Sequence, residues 1–335
     1  MKRSASYQRG LHAWAMVTAA CTFCLVIAGG LVTSTGSALA VPDWPLSYGQ
    51  LMPPMVGGVF YEHGHRMIAT VVGILTCILA FWVWRRDSRE WVRVLGVIAL
   101  CSIVVQGVLG GLTVLYLLPT PISVAHATLA QSFFSMTVIL ALATSRTWIG
   151  QLPQALALAR TTRKYVIVAG AAVFMQLVLG AWMRHSDAGL AITDFPTTYG
   201  DWLPPWGADG LSSINAQRAE WFQLPPVTLP QLWIHFAHRL GAIVALGAVL
   251  TCGIHILHRY PREQQLREPA LVMIILVLAQ FLFGAMTVWT GKSVQVSTTH
   301  VATGALLFGT VMVLLMRAFH IYRLPEEPPQ GKAAT

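Results

Sequence analysis

The sequence predicts an all-α polytopic membrane protein, with eight transmembrane helices arranged as two tandem four-helix bundles related by an internal duplication. Three observations carry that expectation. Of the 335 residues, 55% are hydrophobic and only 10% charged, whereas an ordinary soluble domain is about 25% charged. The apolar residues gather in runs of about 18 or more, enough for a helix to cross about 30 Å of hydrocarbon. A set of motifs also occurs twice along the chain.

Taken in order, the predicted spans run roughly over residues 11–34, 62–84, 92–116, 122–143, 165–185, 231–256, 269–290 and 297–318. Lys2, Arg3 and Arg9 stand before the first span or at its edge, and Arg85, Arg86, Arg89 and Arg93 at the second junction. Arg146, Arg160, Arg163 and Lys164 follow the fourth span, Arg259, Arg262 and Arg267 the sixth, and Arg317, Arg323 and Lys332 close the chain. The other side keeps only Arg184, Arg218 and Lys292, while Arg66 and Arg239 fall inside predicted helices. The positive-inside rule puts both termini in the cytoplasm. The formal charge of +9 is therefore a topological signal and gives no reason to expect nucleic acid as a partner.

The apolar run behind residues 1–10 is too long for a cleavable signal core, so it is expected to stay as an anchor. With no Ser- and Arg-rich transit segment, the expected location is a bacterial inner membrane. All five cysteines fall within predicted spans, so none can staple an outer loop. Cys21-x-x-Cys24 lacks the soluble context of a redox motif.

The duplication is explicit. Asp43-Trp44-Pro45-Leu46-Ser47-Tyr48-Gly49 returns as Asp194-Phe195-Pro196-Thr197-Thr198-Tyr199-Gly200, at an offset of 151. His65-Arg66 returns as His238-Arg239; Gln106, Gly110, Thr113 and Val114 return as Gln280, Gly284, Thr287 and Val288; His126 returns as His300. The expected organisation is a first bundle over 1–150, a cytoplasmic linker over 151–164, a second bundle over 165–320 and a cytoplasmic tail over 321–335. An even number of spans per unit gives both halves the same orientation, unlike the inverted repeats of many transporters.

Histidine within a span is rare and marks function by default. His65, His126, His238 and His300 all fall near the outer ends of even-numbered spans. Two helices that each project a neutral imidazole toward a shared iron suit bis-His haem ligation in a four-helix bundle. Arg66 and Arg239, next to two of these histidines, can pair with haem propionates. Gln106 and Gln280 read as cross-bundle hydrogen-bonding residues. His63 is about 200° around the helix from His65 and points away from that iron. His185 belongs to an outer loop, and His12, His255, His258 and His320 read as solvated.

The halves differ beside the ligands. Glu62-His63-Gly64-His65-Arg66 becomes His235-Phe236-Ala237-His238-Arg239. Three residues before His65, Glu62 shares its helical face and can stabilise charge at a haem edge or take up a proton. Chemistry is expected in the first half and a fixed electron-transfer or structural haem in the second.

The Glu62, His65 and Arg66 pattern, the Pro42-Asp43-Trp44-Pro45 loop, His126 and the degenerate second copy together resemble the haem A synthase family of aerobic bacteria and mitochondria. The resemblance covers all eight spans. It implies an oxidoreductase that converts the C8 methyl of haem O to the formyl of haem A by successive hydroxylations and loss of water. It further implies His65 and His126 flanking the substrate haem, Glu62 assisting catalysis, and His238 and His300 holding a haem b cofactor. Implied partners are haem O synthase, an electron donor, cytochrome oxidase assembly factors, membrane lipid and a second copy of the chain. The first outer loop has no cysteine, so this chain resembles the subgroup that lacks the loop cysteine pair. A dihaem membrane cytochrome that only passes electrons explains the four histidines equally well but leaves the Glu62/His235 difference without a reason.

Overall fold

A computed structural model describes residues 6–150 and 160–320. Lys2, Arg3, Arg323 and Lys332, residues 151–159 of the expected linker and the expected tail 321–335 lie outside the described residues. Eight long apolar helices form the body: α1 (Arg9–Ser34), α2 (Gly58–Arg86), α3 (Glu90–Leu115), α4 (Thr120–Thr144), α6 (Arg160–His185), α8 (Leu229–Arg259), α9 (Gln264–Trp289) and α10 (Val294–His320). A short α5 (Arg146–Ile149) follows α4, and α7 (Ala208–Gln217) with a π-helical turn (Arg218–Phe222) sits in the long loop before α8.

The helices overrun the apolar runs by a few residues because their ends are polar but still helix-compatible. Arg85 and Arg86 occupy the last turn of α2, and His258 and Arg259 that of α8, where positive charge complements the helix dipole. Thr228 and Gln231 form a capping box at the start of α8, and a proline sits in the first turn of α4. The loop helix α7 has no counterpart in the predicted spans because it is short and polar.

Packing follows chain order. Helices α1, α2, α3 and α4 contact one another in sequence and α4 returns to α1; α6, α8, α9 and α10 do the same. Contacts of α1 and α4 with α10, and of α4 with α6, make the seam between the two sets. Phe133, Leu140, Val166, Ala169, Val311 and Leu314 are buried in the core that runs along this seam. The helices carrying His126 and His300, α4 and α10, are the most buried of the eight. Outward faces such as Val71, Ile74 and Ile78 on α2 and Ile275, Leu278 and Leu282 on α9 are exposed and apolar, as lipid contact requires.

Candidate functional site

His65, His126, His238 and His300 all lie within the first three turns of their helices, and all are half-buried. His65 lies within electrostatic reach of His126, and His238 of His300. The two sequence-predicted pairs are therefore brought together, each inside one set of four helices.

A glycine on the preceding helix faces every one of them. A methyl group placed on Gly29 would come 3.2 Å from His65 Cε1, on Gly110 3.2 Å from His126 Cε1, on Gly180 2.9 Å from His238 Cε1, and on Gly284 3.3 Å from His300 Cε1. Only glycine lets the imidazole edge lie this close to the neighbouring backbone without displacing one of the two.

The nitrogens are largely uncommitted. Nδ1 of His65, His126 and His300 is buried without a hydrogen-bond partner, an arrangement that needs a reason. Gln106 Nε2 donates to the His126 carbonyl at 2.9 Å, and Gln280 Nε2 lies 3.4 Å from His300 Nε2. Gln176 Nε2 donates to the His238 carbonyl at 3.0 Å and lies 3.0 Å from His238 Nδ1. Imidazoles brought together in pairs, with largely uncommitted ring nitrogens and glycine-cleared backs, fit a bis-His haem.

The loops before α2 and α8 follow one plan. Tyr48 and Gly49 have positive φ (53° and 70°), as do Tyr199 and Gly200 (54° and 88°). Bridges between Ser47 and Gln50 and between Thr198 and Asp201 flank them. Two consecutive positive φ values define a type I′ turn and explain the glycine at its second corner. The Asp43 carboxylate accepts from the Tyr48 and Gly49 amides, and Asp194 from Tyr199 and Gly200. Those Gly49 and Tyr48 amides hold Asp43 below the usual carboxylate range. At Asp194 burial pushes the other way, but the Thr197 hydroxyl and the two amides outweigh it.

Arg66 and Arg239 are turned onto these loops. Arg66 Nη1 donates to the carbonyls of Asp43 and Leu46, both at 2.8 Å. Arg239 donates to those of Asp194 at 2.6 Å and Thr197 at 2.8 Å and lies over the Phe195 ring.

Glu62 and His235 occupy one structural position. Glu62 is buried, accepts the Val41 amide on Oε2 at 2.8 Å and pairs with Arg66 through Oε1 at 2.6 Å. His235, also buried, accepts the Ile192 amide on Nδ1 at 3.3 Å. The carboxylate of one half is a neutral acceptor in the other. His63 is buried, its Nδ1 2.8 Å from Ser47 Oγ.

Several residues escape the sequence reading. Gln176 stands where the first half has Leu25, so a search by repetition passes over it; its signal is an amide in an apolar span. Arg218 is buried and donates to the carbonyls of Leu190 at 2.7 Å and Pro225 at 2.9 Å and to the Tyr199 hydroxyl at 2.9 Å. It comes from the loop insertion, which the first half lacks. His185 ends α6 instead of lying in the loop. His12 and His255, expected in solvent, lie 3.3 Å from Thr144 Oγ1 and 2.9 Å from Thr162 Oγ1 between helices. Threonines on the adjacent helices supply the partners that a solvated reading leaves to water.

Comparison with known proteins gives a family and consistent relatives. A family model described as cytochrome oxidase assembly protein, COX15-CtaA, matches residues 12–57 and 56–312. A protein named heme A synthase from Halalkalibacterium halodurans is 28% identical over 322 residues, covering 92% of this chain and 97% of its own length. One of the same name from Geobacillus kaustophilus is 27% identical over 323 residues, with 95% and 94% covered. Another from Listeria monocytogenes is 24% identical over 315 residues, with 92% and 95% covered.

Proposed function

The chain belongs to the family of cytochrome oxidase assembly proteins that the COX15-CtaA model describes, and on that premise we propose that it is a haem A synthase. It is an oxidoreductase that converts the C8 methyl of haem O to a formyl group through two hydroxylations and loss of water. The observation that carries this reading is the pairing of four histidines, each backed by a glycine, in a chain that matches heme A synthases over nearly its whole length.

In this reading His65 and His126 flank the substrate haem in the first bundle, and His238 and His300 hold a b-type haem in the second. The b-type haem supplies one-electron chemistry when bound. Glu62 is the catalytic group. The carboxylate is held by Arg66 on Oε1 and by the Val41 amide on Oε2, with the Ala40 amide also acting on it, and its two oxygens offer about four acceptor sites in all, enough for it also to take a proton. Its position is fixed before the reaction begins, which is the condition for useful electrostatic stabilisation. Arg66 and Arg239 contribute to haem binding by keeping the loops closed over the outer edge. Arg239 Nε, buried without a partner, is a donor a propionate can use.

The remaining arrangement follows from charge. The basic residues at the opposite helix ends put both termini in the cytoplasm and the haem sites toward the periplasmic side of a bacterial inner membrane. Haem O synthase, an electron donor, oxidase assembly factors and a second copy of the chain are its expected partners. Expression in cells supplied with haem O tests the function. Haem A should accumulate and depend on this chain; a purified haem protein that leaves haem O unchanged would make it an electron carrier.

A further inference from the structure

Three arginines stand on outer turns of membrane helices beside the paired histidines, and their charges are balanced differently. Arg66 is ion-paired with Glu62. Arg239 has Asp194 within electrostatic reach and its Nη groups on loop carbonyls. Arg184, the penultimate residue of α6, has no carboxylate within ion-pair distance among the described residues. Only its Nη2 is engaged, with the Gly30 carbonyl at 3.2 Å and Ser34 Oγ at 2.8 Å on α1. Nε and Nη1 donate to nothing among the described residues and keep accessible surface.

A half-buried guanidinium held at one corner, with two donor groups free and no counter-charge, is a site for an anion, because burying such a charge alone is costly. Its place says which anion. Arg184 lies within electrostatic reach of His300. The α1 residues it grips border α10: Ser34 Oγ accepts from Thr298 at 3.3 Å, two residues before His300, and Gly30 packs on Thr298 and Val301.

We propose that Arg184 forms the charge pair that retains the second-half haem, its free Nε and Nη1 binding a carboxylate of the haem held between His238 and His300. This rests on the haem reading above and adds to it a reason for the halves to differ. A resident cofactor must stay, whereas a substrate haem must leave as product. The first half carries Thr33 at the position 151 residues earlier, and its hydroxyl only bonds back to the Gly29 carbonyl at 3.0 Å. The retaining cation is thus present in the half assigned the fixed haem and missing from the half assigned the exchanging one.

The test follows haem transfer from the purified full-length protein to excess apomyoglobin, in a His65→Ala background so that only second-half haem is read, together with its midpoint potential. Arg184→Gln should release haem about tenfold or more faster, and the potential should fall, since a nearby positive charge favours the reduced state. Arg184→Lys should recover most of both. Ser34→Ala, which removes the inter-helix bond and keeps the cation, should behave as the parent. An unchanged release rate and potential in Arg184→Gln would overturn the assignment, and so would equal haem loss in Ser34→Ala, which would make Arg184 a helix clamp only. If Arg184→Gln does not fold, Arg184→Lys decides: release about tenfold faster and a lowered potential despite the retained charge would overturn the assignment. A parent protein without b-type haem would overturn the haem reading itself.

Discussion

In the first half of the molecule the amide of Val41 is held by a carboxylate, Glu62; in the second the amide of Ile192, 151 residues on, is held by an imidazole, His235. The loop keeps its shape, because either group supplies one acceptor where one is needed. What changes is charge and proton chemistry. Glu62 brings an anion into contact with Arg66, and His235 brings none. Loop architecture alone therefore does not demand an acid at this position, which makes the acid in the first half a candidate for chemistry. The cations differ in the opposite sense: the second half adds Arg184 and Arg218, which have no counterparts in the first.

The largest expected effect breaks this comparison at its centre. Glu62→Gln keeps an acceptor for the Val41 amide but removes the charge, and should lower haem A formation by about 100-fold or more while b-type haem is retained. His235→Gln should leave turnover within a few-fold. Comparable losses in the two variants, by pigment analysis, would mean that position 62 serves only the loop.

Next come the glycines. Gly180→Ala puts a methyl 2.9 Å from His238 Cε1 and Gly29→Ala 3.2 Å from His65 Cε1, whereas Gly73 and Gly247, on the helices that carry His65 and His238, face open space. Overpacking of this kind costs about 1–3 kcal/mol. The low-spin haem signal in electron paramagnetic resonance should be lost or shifted most in Gly180→Ala, less in Gly29→Ala, and not in Gly73→Ala or Gly247→Ala. An equal response in all four would reduce the effect to helix destabilisation.

Arg218→Ala should loosen the loop before α8 alone. It leaves the carbonyls of Leu190 and Pro225 short of a donor, a loss of about 1 kcal/mol per bond, and hydrogen exchange should rise in residues 190–225 but not in 40–50. The smallest effect is acid sensitivity. Asp43 and Asp194 have pKa values lowered below 3.8, so their contribution is complete above that value and lost as pH falls through the lower folded values. Exchange in both turns should be flat from neutral pH down to about 4 and rise only below it.

Much of this was legible in the amino acids. The eight helices follow from runs of apolar residues that no soluble fold needs, and the four histidines from recurrence at matched depth. The paired carboxylate and imidazole at 62 and 235 appear as soon as the halves are aligned. What lay hidden was whatever departs from the repeat or depends on side-chain direction. Gln176 and Arg184 replace Leu25 and Thr33, so a search for repetition discards them. Arg218 arrives with an inserted helix. Arg66 and Arg239 are adjacent to histidines in sequence, but adjacency does not reveal that their guanidiniums turn outward onto loop carbonyls. The glycines at 29 and 180 are silent until the neighbouring helix is in place.

The division of labour between the halves is tested most directly by the haems extracted from purified His126→Ala and His300→Ala, separated by chromatography after expression with haem O supplied. His126→Ala should lose haem O and haem A but keep haem b, and His300→Ala should lose haem b. The same pigment missing from both variants would contradict it.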